Sequence, residues 1–354
     1  MEMTLSQQYL NTKQVHQELS SRDLAQRLNI SEAELAYVRV GEDAERLDIS
    51  ATTLLTELET VGVTCSVTSN PHAVHQQMGE YRNLRLHGHL GLLLNPRALD
   101  LRLFFRHWNT VFSLRETTAQ GEQLSIQCFD FQGNAIHQIY CTTETNQAAW
   151  QALIAKYRMT DNPRLELKHI DEQPNAGSAI DGSIIDTEWR KMNDIHQFFM
   201  LLKRHNISRQ QAFRAVGDDL AYQVDNQAVI HILKAAQAGL NEIMLFVGNS
   251  GCMQIFTGAI DKFSAPEEEQ LAGGQWVNVS NPRFDLQLNQ QAIAESWVTR
   301  KPTKDGFVSS LELLDEHGKH ILQIFGQRSE GHQPEQTQWH QQLAELTPIG
   351  VPHE

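Results

Sequence analysis

The chain has 354 residues, a length that corresponds to about two domains. Its 40% hydrophobic and 20% charged residues are typical of a folded globular protein and exclude the disordered class. The formal net charge of −14 disfavours nucleic acids and anionic membranes as main partners, because both attract basic surfaces.

The sequence predicts a cytoplasmic protein without membrane insertion. No apolar run reaches the ~20 residues that a membrane helix needs, and the polar N-terminal segment lacks the basic end and apolar core of a signal peptide. The four cysteines show no CxxC spacing and do not form a disulfide framework in a chain of this length, which fits a reducing compartment.

The first predicted elements are two short helices around the turn Asn29-Ile30-Ser31, with Ser31 as the N-cap of the second. This pattern resembles a helix-turn-helix, whose second helix enters the major groove of DNA. Glu32 and Glu34 would repel phosphate at that place. We therefore favour a helical hairpin that packs against its own half of the chain.

A β-hairpin is predicted next. Residues 123–130 and 135–141 alternate apolar and polar side chains around Gln132-Gly133-Asn134. Residues 307–314 and 320–326 repeat the pattern around His317-Gly318. Such hairpins indicate antiparallel sheets.

An internal repeat relates the two halves. Asn95-Pro96-Arg97 recurs as Asn281-Pro282-Arg283, and residues 112–140 match 297–325 at a constant offset of 297 − 112 = 185. In each half the predicted helices precede the strands. The predicted fold class is therefore α+β, a tandem repeat of two similar halves, each with helices followed by an antiparallel β-sheet.

The predicted domain boundaries follow from this repeat. We assign residues 1–160 to the first repeat and 185–354 to the second, with a linker over 161–184 in a stretch rich in Asp, Asn, Pro and Gly. An acidic loop over 264–274 has no counterpart in the first half and is predicted to be an exposed insertion.

A predicted helix from about Thr187 to Arg204 places Trp189, Met192, His196 and Phe199 on one face. From this local pattern a hydrogen-bonded core histidine is the favoured interpretation of His196, and an axial ligand of haem iron is the alternative.

Other motifs are less specific. The chain has no P-loop, GxGxxG, GxSxG or HExxH motif. Three pairs of closely spaced histidines are interpreted as solvated residues of strands and loops rather than as metal ligands: His72 and His75, His87 and His89, and His317 and His320. Four cations have the chemistry to bind carboxylates, although ordinary surface charge is the simpler interpretation of each: Arg102, Arg209, Lys301 and Arg328.

Several longer runs resemble the bacterial cytoplasmic haemin-transport and haemin-degrading proteins of the HemS/ChuS type, over nearly the whole length. The runs that carry the resemblance are Leu94-Asn95-Pro96-Arg97-Ala98-Leu99-Asp100-Leu101-Arg102, Asp194-Ile195-His196-Gln197-Phe198-Phe199, Leu201-Leu202-Lys203-Arg204-His205-Asn206, Trp297-Val298-Thr299-Arg300-Lys301-Pro302 and Gly326-Gln327-Arg328.

The resemblance implies one haem in a cleft between the halves, with His196 as the ligand of the iron. It implies Arg102 on the opposite face, as the candidate catalytic residue. It also implies that further polar side chains line the haem: Arg209, Lys301, Gln323 and Arg328. Two details are open, because Phe325 stands where some relatives have Tyr, and His75 matches a histidine considered as an alternative ligand.

The predicted function is a cytoplasmic protein that accepts imported haem and degrades it to release iron, with electrons from an external reductant. The alternative is a carrier that delivers haem to a separate haem oxygenase. A haem importer is the other expected partner. A third hypothesis, a haem-sensing helix-turn-helix regulator, is disfavoured by the charge of −14.

Overall fold

The computed structural model describes residues 3–16, 19–118, 121–168, 181–265, 276–327 and 335–349. These residues form two compact units. The first unit draws on 1–69, 76–171 and 249–254, and the second on 70–75, 172–248 and 255–354. Each unit therefore includes a short segment of the other half, and the boundaries 1–160 and 185–354 stay a prediction. Residues 169–180 of the predicted linker and 266–274 of the predicted loop lie outside the described ranges.

The first half begins with helices and continues mainly with strands. Its elements are α1 (Leu5–Val15), α2 (Ser21–Arg27), α3 (Glu32–Val38), β1 (Ala44–Leu47), α4 (Ala51–Glu57), a 3-10 turn (Leu58–Val61), β2 (Gly62–Asn70), β3 (Ala73–Gly79), β4 (Leu84–His87), β5 (Leu90–Leu93), β6 (Asp100–Phe104), a 3-10 turn (Phe105–His107), β7 (Trp108–Thr118), β8 (Gly121–Asp130), β9 (Ala135–Thr145) and α5 (Gln147–Tyr157).

The second half follows the same plan. Its elements are α6 (Gly182–Arg190), α7 (Gln197–His205), α8 (Arg209–Arg214), β10 (Ala221–Val224), α9 (Ala228–Gly239), β11 (Ile243–Gly248), β12 (Cys252–Gly258), β13 (Lys262–Ser264), β14 (Trp276–Asn281), β15 (Phe284–Asn289), a 3-10 turn (Gln290–Ala292), β16 (Glu295–Thr303), β17 (Gly306–Leu314), β18 (His320–Gly326) and α10 (Thr337–Ala344).

The main sheets of the two units have the same topology. In the first unit the strand order is β1-β7-β8-β9-β2, and in the second it is β10-β16-β17-β18-β11, with every pair antiparallel. Each unit adds a three-stranded antiparallel ribbon, β4-β5-β6 or β13-β14-β15. The predicted fold class, the tandem repeat and both predicted hairpins are confirmed.

The hairpin turns repeat in atomic detail. The Oδ1 atom of Asp130 accepts from the backbone N–H groups of residues 132 and 134, at 2.9 and 2.8 Å, and Gly133 has a φ of +85°. Asp315 accepts from residues 317 and 319 at 2.9 and 2.8 Å, and Gly318 has a φ of +70°. In each turn the Asp carboxylate accepts hydrogen bonds from backbone N–H groups that have no backbone acceptor there. The glycine adopts the left-handed conformation at low energetic cost because it has no side chain.

The predicted helical hairpin near the N-terminus corresponds to α2 and α3. Ser31 caps α3, as predicted, with its hydroxyl accepting from the backbone N–H of Glu34. Ala33 and Ala36 are buried against Phe112 and Phe129 of the adjoining sheet. This helix therefore packs against its own half, as the acidic first turn predicted.

Each main sheet packs one face against helices of its own unit. Trp150 of α5 and Trp339 of α10 are both fully buried in these cores. Within the described ranges, no helix combines the length and the apolar character that a membrane crossing requires.

The core of the first unit contains a buried polar network. His137 shares a hydrogen bond of 2.6 Å with the Tyr81 hydroxyl through Nε2, and one of 3.1 Å with the Thr68 hydroxyl through Nδ1. Tyr81 also bonds the Ser66 hydroxyl at 2.7 Å. Burial lowers the pKa of His137 to about 3. The repeat places Leu322 at the corresponding position of the second unit (322 − 137 = 185).

This histidine predicts a pH-dependent stability. Below pH ~6.5 the unfolded chain binds a proton on the ring that the folded chain excludes, so stability falls by up to about 1.4 kcal/mol per pH unit as the pH drops towards 3. We expect His137→Leu, which copies the second unit, to flatten that slope between pH 4.5 and 6.5 in urea unfolding. His317→Leu is the control, because its side chain is 70% exposed. Equal slopes in His137→Leu and the wild type would contradict the assignment.

Candidate functional site

The segment around His196 is not the continuous helix predicted over 187–204. Helix α6 ends at Arg190, and α7 begins at Gln197. The Asp194 carboxylate accepts from the backbone N–H of His196 at 2.8 Å. Short polar side chains of this kind compete with the backbone for hydrogen bonds and favour helix starts over helix interiors. This competition explains the break, which apolar periodicity alone does not detect.

The break also changes the environment of His196. Trp189 and Met192 are buried, whereas the His196 side chain is 83% exposed and Phe199 is 56% exposed. The four residues therefore do not share a buried face, and the interpretation of His196 as a core histidine is wrong.

Asp194 orients the imidazole. Its Oδ1 atom lies 2.7 Å from Nδ1 of His196. Hydrogen bonds from His196 lower the pKa of the Asp194 carboxyl, which keeps it ionised. A neutral ring that donates from Nδ1 to this carboxylate carries its lone pair on Nε2. In this tautomer Nε2 of His196 has the chemistry to bind a metal.

The exposed side of α7 is apolar next to this imidazole. Phe199 and Met200 follow His196 by three and four residues, so they lie on its side of the helix, and they are 56% and 60% exposed. The buried side carries Phe198 and Leu201, which pack on Trp189 and the neighbouring helices. The arrangement fits a planar, apolar ligand with a metal centre.

A buried carboxylate organises the polar part of the same unit. Glu312 of β17 is fully buried, and among the described residues five side chains donate hydrogen bonds to it. At Oε1 the donors and distances are Lys301 at 2.6 Å, Ser310 at 3.1 Å and Thr299 at 3.2 Å, and at Oε2 they are Gln323 at 2.9 Å and Arg209 at 3.0 Å. The structure thus brings Arg209, Lys301 and Gln323 together around Glu312, which the sequence analysis did not single out. That these three residues line haem stays a prediction.

The charges in this cluster depend on one another. Burial disfavours the ionised form of Glu312, but the Lys301 and Arg209 charges outweigh it and hold the pKa of the carboxyl well below its usual range. Burial lowers the pKa of Lys301, with Glu312 opposing the shift. Burial and the Arg209 charge lower the pKa of His320 to about 3, so this neighbouring ring is neutral.

Arg209 connects the cluster to the helix of His196. Its guanidinium carbon lies 5.0 Å from the ring centre of Phe199 and 5.4 Å from that of Phe198. Since only Nη1 bonds Glu312, the guanidinium retains further N–H donors for another carboxylate.

Aromatic side chains continue this face of the sheet. Phe325 pairs with Met244 across β18 and β11, and Phe246 pairs with Gln323. The rings of Phe246 and Phe325 meet edge to face at 4.9 Å. Both rings are only partly buried.

Arg102 belongs to the other unit and is described there by itself. It lies on β6 opposite Leu92, and its Nη1 atom bonds the Asp100 carboxylate. Burial raises the pKa of Asp100, and the Arg102 charge opposes the shift. Leu90 and Leu92 are exposed on the same face of the ribbon. This ribbon therefore also presents a cation beside apolar side chains.

Two further candidates, His75 and Arg328, and the question of a metal cluster remain. His75 is fully buried against Phe284, at 5.0 Å between ring centres, so its interpretation as a solvated histidine is wrong. The described residues contain no group of three or more His, Cys, Asp or Glu side chains that could hold a metal ion. Arg328 lies outside the described ranges.

The sequence analysis did not identify Asp194 and Glu312 as site residues, although the sequence pattern around each gives an indication. Asp194 stands two residues before His196 in the same motif. Glu312 places a charge at an alternating position of a strand whose other positions are mostly apolar. The convergence of donors on Glu312 depends on strand register, which the sequence alone did not provide.

Comparison with known proteins reveals similarity over nearly the full length. A family model described as the haemin-degrading HemS.ChuX domain matches residues 29–157 and 206–346. The hemin transport protein HmuS of Yersinia pestis is 53% identical over 346 residues, 98% of each chain.

Two solved structures are also similar. The heme degrading enzyme ChuS of Escherichia coli O157:H7 superimposes with a TM-score of 0.89 at 49% identity, over 96% of this chain and 98% of its own. Holo-PhuS, a heme-binding protein from Pseudomonas aeruginosa, gives a TM-score of 0.90 at 35% identity, over 96% and 97%.

Proposed function

This chain belongs to the haemin-degrading HemS.ChuX family, and from that premise we propose that it binds haem through His196 as its cargo and substrate. The supporting observation is the imidazole itself. It is 83% exposed, and its Nδ1 atom is held by Asp194 at 2.7 Å. An exposed imidazole with Nε2 directed away from its own hydrogen-bond partner has the geometry of an axial ligand.

The surroundings fit the two other features of haem. The macrocycle is apolar, and Phe199 and Met200 supply exposed apolar contacts on the same side of α7. The propionates are carboxylates, and Arg209 carries N–H donors that Glu312 does not occupy. We therefore assign iron ligation to His196 and a carboxylate contact to Arg209. Lys301 and Gln323 act through Glu312 in this arrangement, since both are buried.

The protein residues position the ligand, and haem supplies an iron with an axial position for a protein ligand and redox chemistry of its own. Asp194 keeps the His196 ring in one tautomer and one orientation. Its negative charge also favours electron donation from Nε2 to a bound metal. Phe199 and Met200 exclude water from the neighbouring apolar surface.

We propose haem degradation with an external reductant as the activity, since ChuS, at 49% identity, is named as a heme degrading enzyme. Arg102 is the proposed catalytic residue. Its fixed positive charge beside Leu92 would stabilise negative charge that develops on a bound haem. The alternative is a carrier that delivers haem to a separate oxygenase. Two observations favour the carrier. HmuS is named a hemin transport protein, and Arg209 and Lys301 already donate hydrogen bonds to Glu312.

We further propose a cytoplasmic location, with a haem importer as the donor of haem. None of the four cysteines, all within the described residues, forms a disulfide, which fits a reducing compartment.

Loss of the proposed ligand gives the first prediction. We expect wild-type protein to bind ferric haem one to one with a shifted Soret band, and His196→Ala to bind at least about tenfold more weakly. His317→Ala is the matched control, with an exposed histidine in a turn of the same unit. If His196→Ala and His317→Ala titrate alike, the ligand assignment fails and His75 is tested next.

The Asp194 contact gives the second prediction. Asp194→Asn removes the charge behind Nδ1, so we expect an affinity loss of about 10–100-fold and a higher reduction potential of the bound haem. Asp218→Asn is the control, because Asp218 is exposed. An unchanged potential in Asp194→Asn would show that the carboxylate does not act on the ligand.

The choice between enzyme and carrier gives the third prediction. On addition of a reductant in air, we expect the wild-type complex to lose its Soret band and release iron, and Arg102→Ala to do so about a hundredfold more slowly. Arg106→Ala is the control, an exposed arginine of the same unit. A stable wild-type spectrum would favour the carrier.

A further inference from the structure

Glu312 is the anionic hydrogen-bond partner that the two cations of the cluster share. Its two oxygens accept hydrogen bonds from both cations of the cluster, Lys301 at 2.6 Å and Arg209 at 3.0 Å. The side chain of Lys301 is 5% exposed and that of Arg209 is 14% exposed. The cations are therefore partly neutralised before any ligand arrives.

The repeat shows that the fold does not need a carboxylate at this position. At the offset of 185, the first unit has Gln127 in place of Glu312 and Gln138 in place of Gln323. The same strand pair forms there, with Gln127 opposite Gln138 and their side chains bonded at 3.2 Å. The first unit also has Glu116 in place of Lys301. The carboxylate at position 312 therefore occurs in the unit that has this cation, whereas the strand pair forms in both units.

We propose that Glu312 is an internal competitor for the carboxylates of haem, which weakens binding of the anionic ligand and allows its release. The inference rests on the proposed function, and it concerns the strength of that site. A buried carboxylate about 3 Å from a guanidinium opposes the attraction of that guanidinium for a second anion. A protein that transfers or processes haem benefits, because ligation by His196 and apolar contact still hold the ligand.

The competition predicts a difference between two porphyrins. Ferric haem carries two propionates, whereas its dimethyl ester has the same iron and macrocycle without those charges. Glu312→Gln frees Arg209 and places in the second unit the residue found in the first. We expect the affinity for haem to rise about tenfold, the effect of about 1.4 kcal/mol. The affinity for the ester, delivered from dimethyl sulfoxide, should change little.

A second variant protects the test against misfolding. Glu312→Gln leaves Lys301 buried without its carboxylate, which destabilises folded proteins. The double variant Glu312→Gln/Lys301→Met removes the buried pair and still frees Arg209, so its ratio of haem to ester affinity should rise as well. Glu316→Gln controls for the loss of one negative charge, because Glu316 is 82% exposed.

The outcomes separate this inference from the function on which it rests. A higher ratio in both Glu312 variants, with Glu316→Gln unchanged, supports the competition. A purely structural role predicts weaker binding of both porphyrins. An unchanged ratio in the folded variants, or equal weakening of both ligands, overturns the inference while haem binding stands. If wild-type protein binds neither porphyrin, the proposed function itself fails, and the inference with it.

Discussion

The hydrogen bonds of Asp194 are the constraint on which the site depends. One bond, to the backbone N–H of His196, accompanies the break between α6 and α7. The other holds Nδ1 of the same residue. A continuous helix over 187–204 would have directed His196 towards the apolar side of Trp189 and Met192. With the break, the helices remain packed while the imidazole, Phe199 and Met200 are exposed.

The two units show that one scaffold carries different polar side chains in its two copies. Both have the same strand order, the same Asp-Gly hairpin turns and a buried tryptophan in the last helix of each half. The differences lie in the polar positions. The second unit has Lys301 and Glu312 where the first has Glu116 and Gln127, and the first unit has His137 where the second has Leu322. The same sheet topology is therefore compatible with different polar side chains at corresponding positions.

Much of this architecture was predictable from the sequence, because it depends on local patterns. Alternation predicted the hairpins, and Ser31 predicted a helix start. The constant offset of 185 predicted two similar sheets. The exposure of His196 was not predictable from periodicity, which does not include competition by the Asp194 side chain.

The hydrogen-bond donors around Glu312 were not predictable from local sequence patterns. Its donors come from three strands and a helix, so their meeting is determined by register and packing rather than by spacing along the chain. The roles of Arg209, Lys301 and Gln323 came from resemblance. The structure adds that all three donate hydrogen bonds to one carboxylate, that of Glu312.

The most direct test is a crystal structure of the protein loaded with ferric haem. The account predicts electron density for iron bonded to Nε2 of His196, with Nδ1 still hydrogen-bonded to Asp194 and the macrocycle against Phe199. Iron bonded to another residue, or haem density away from α7, would contradict it.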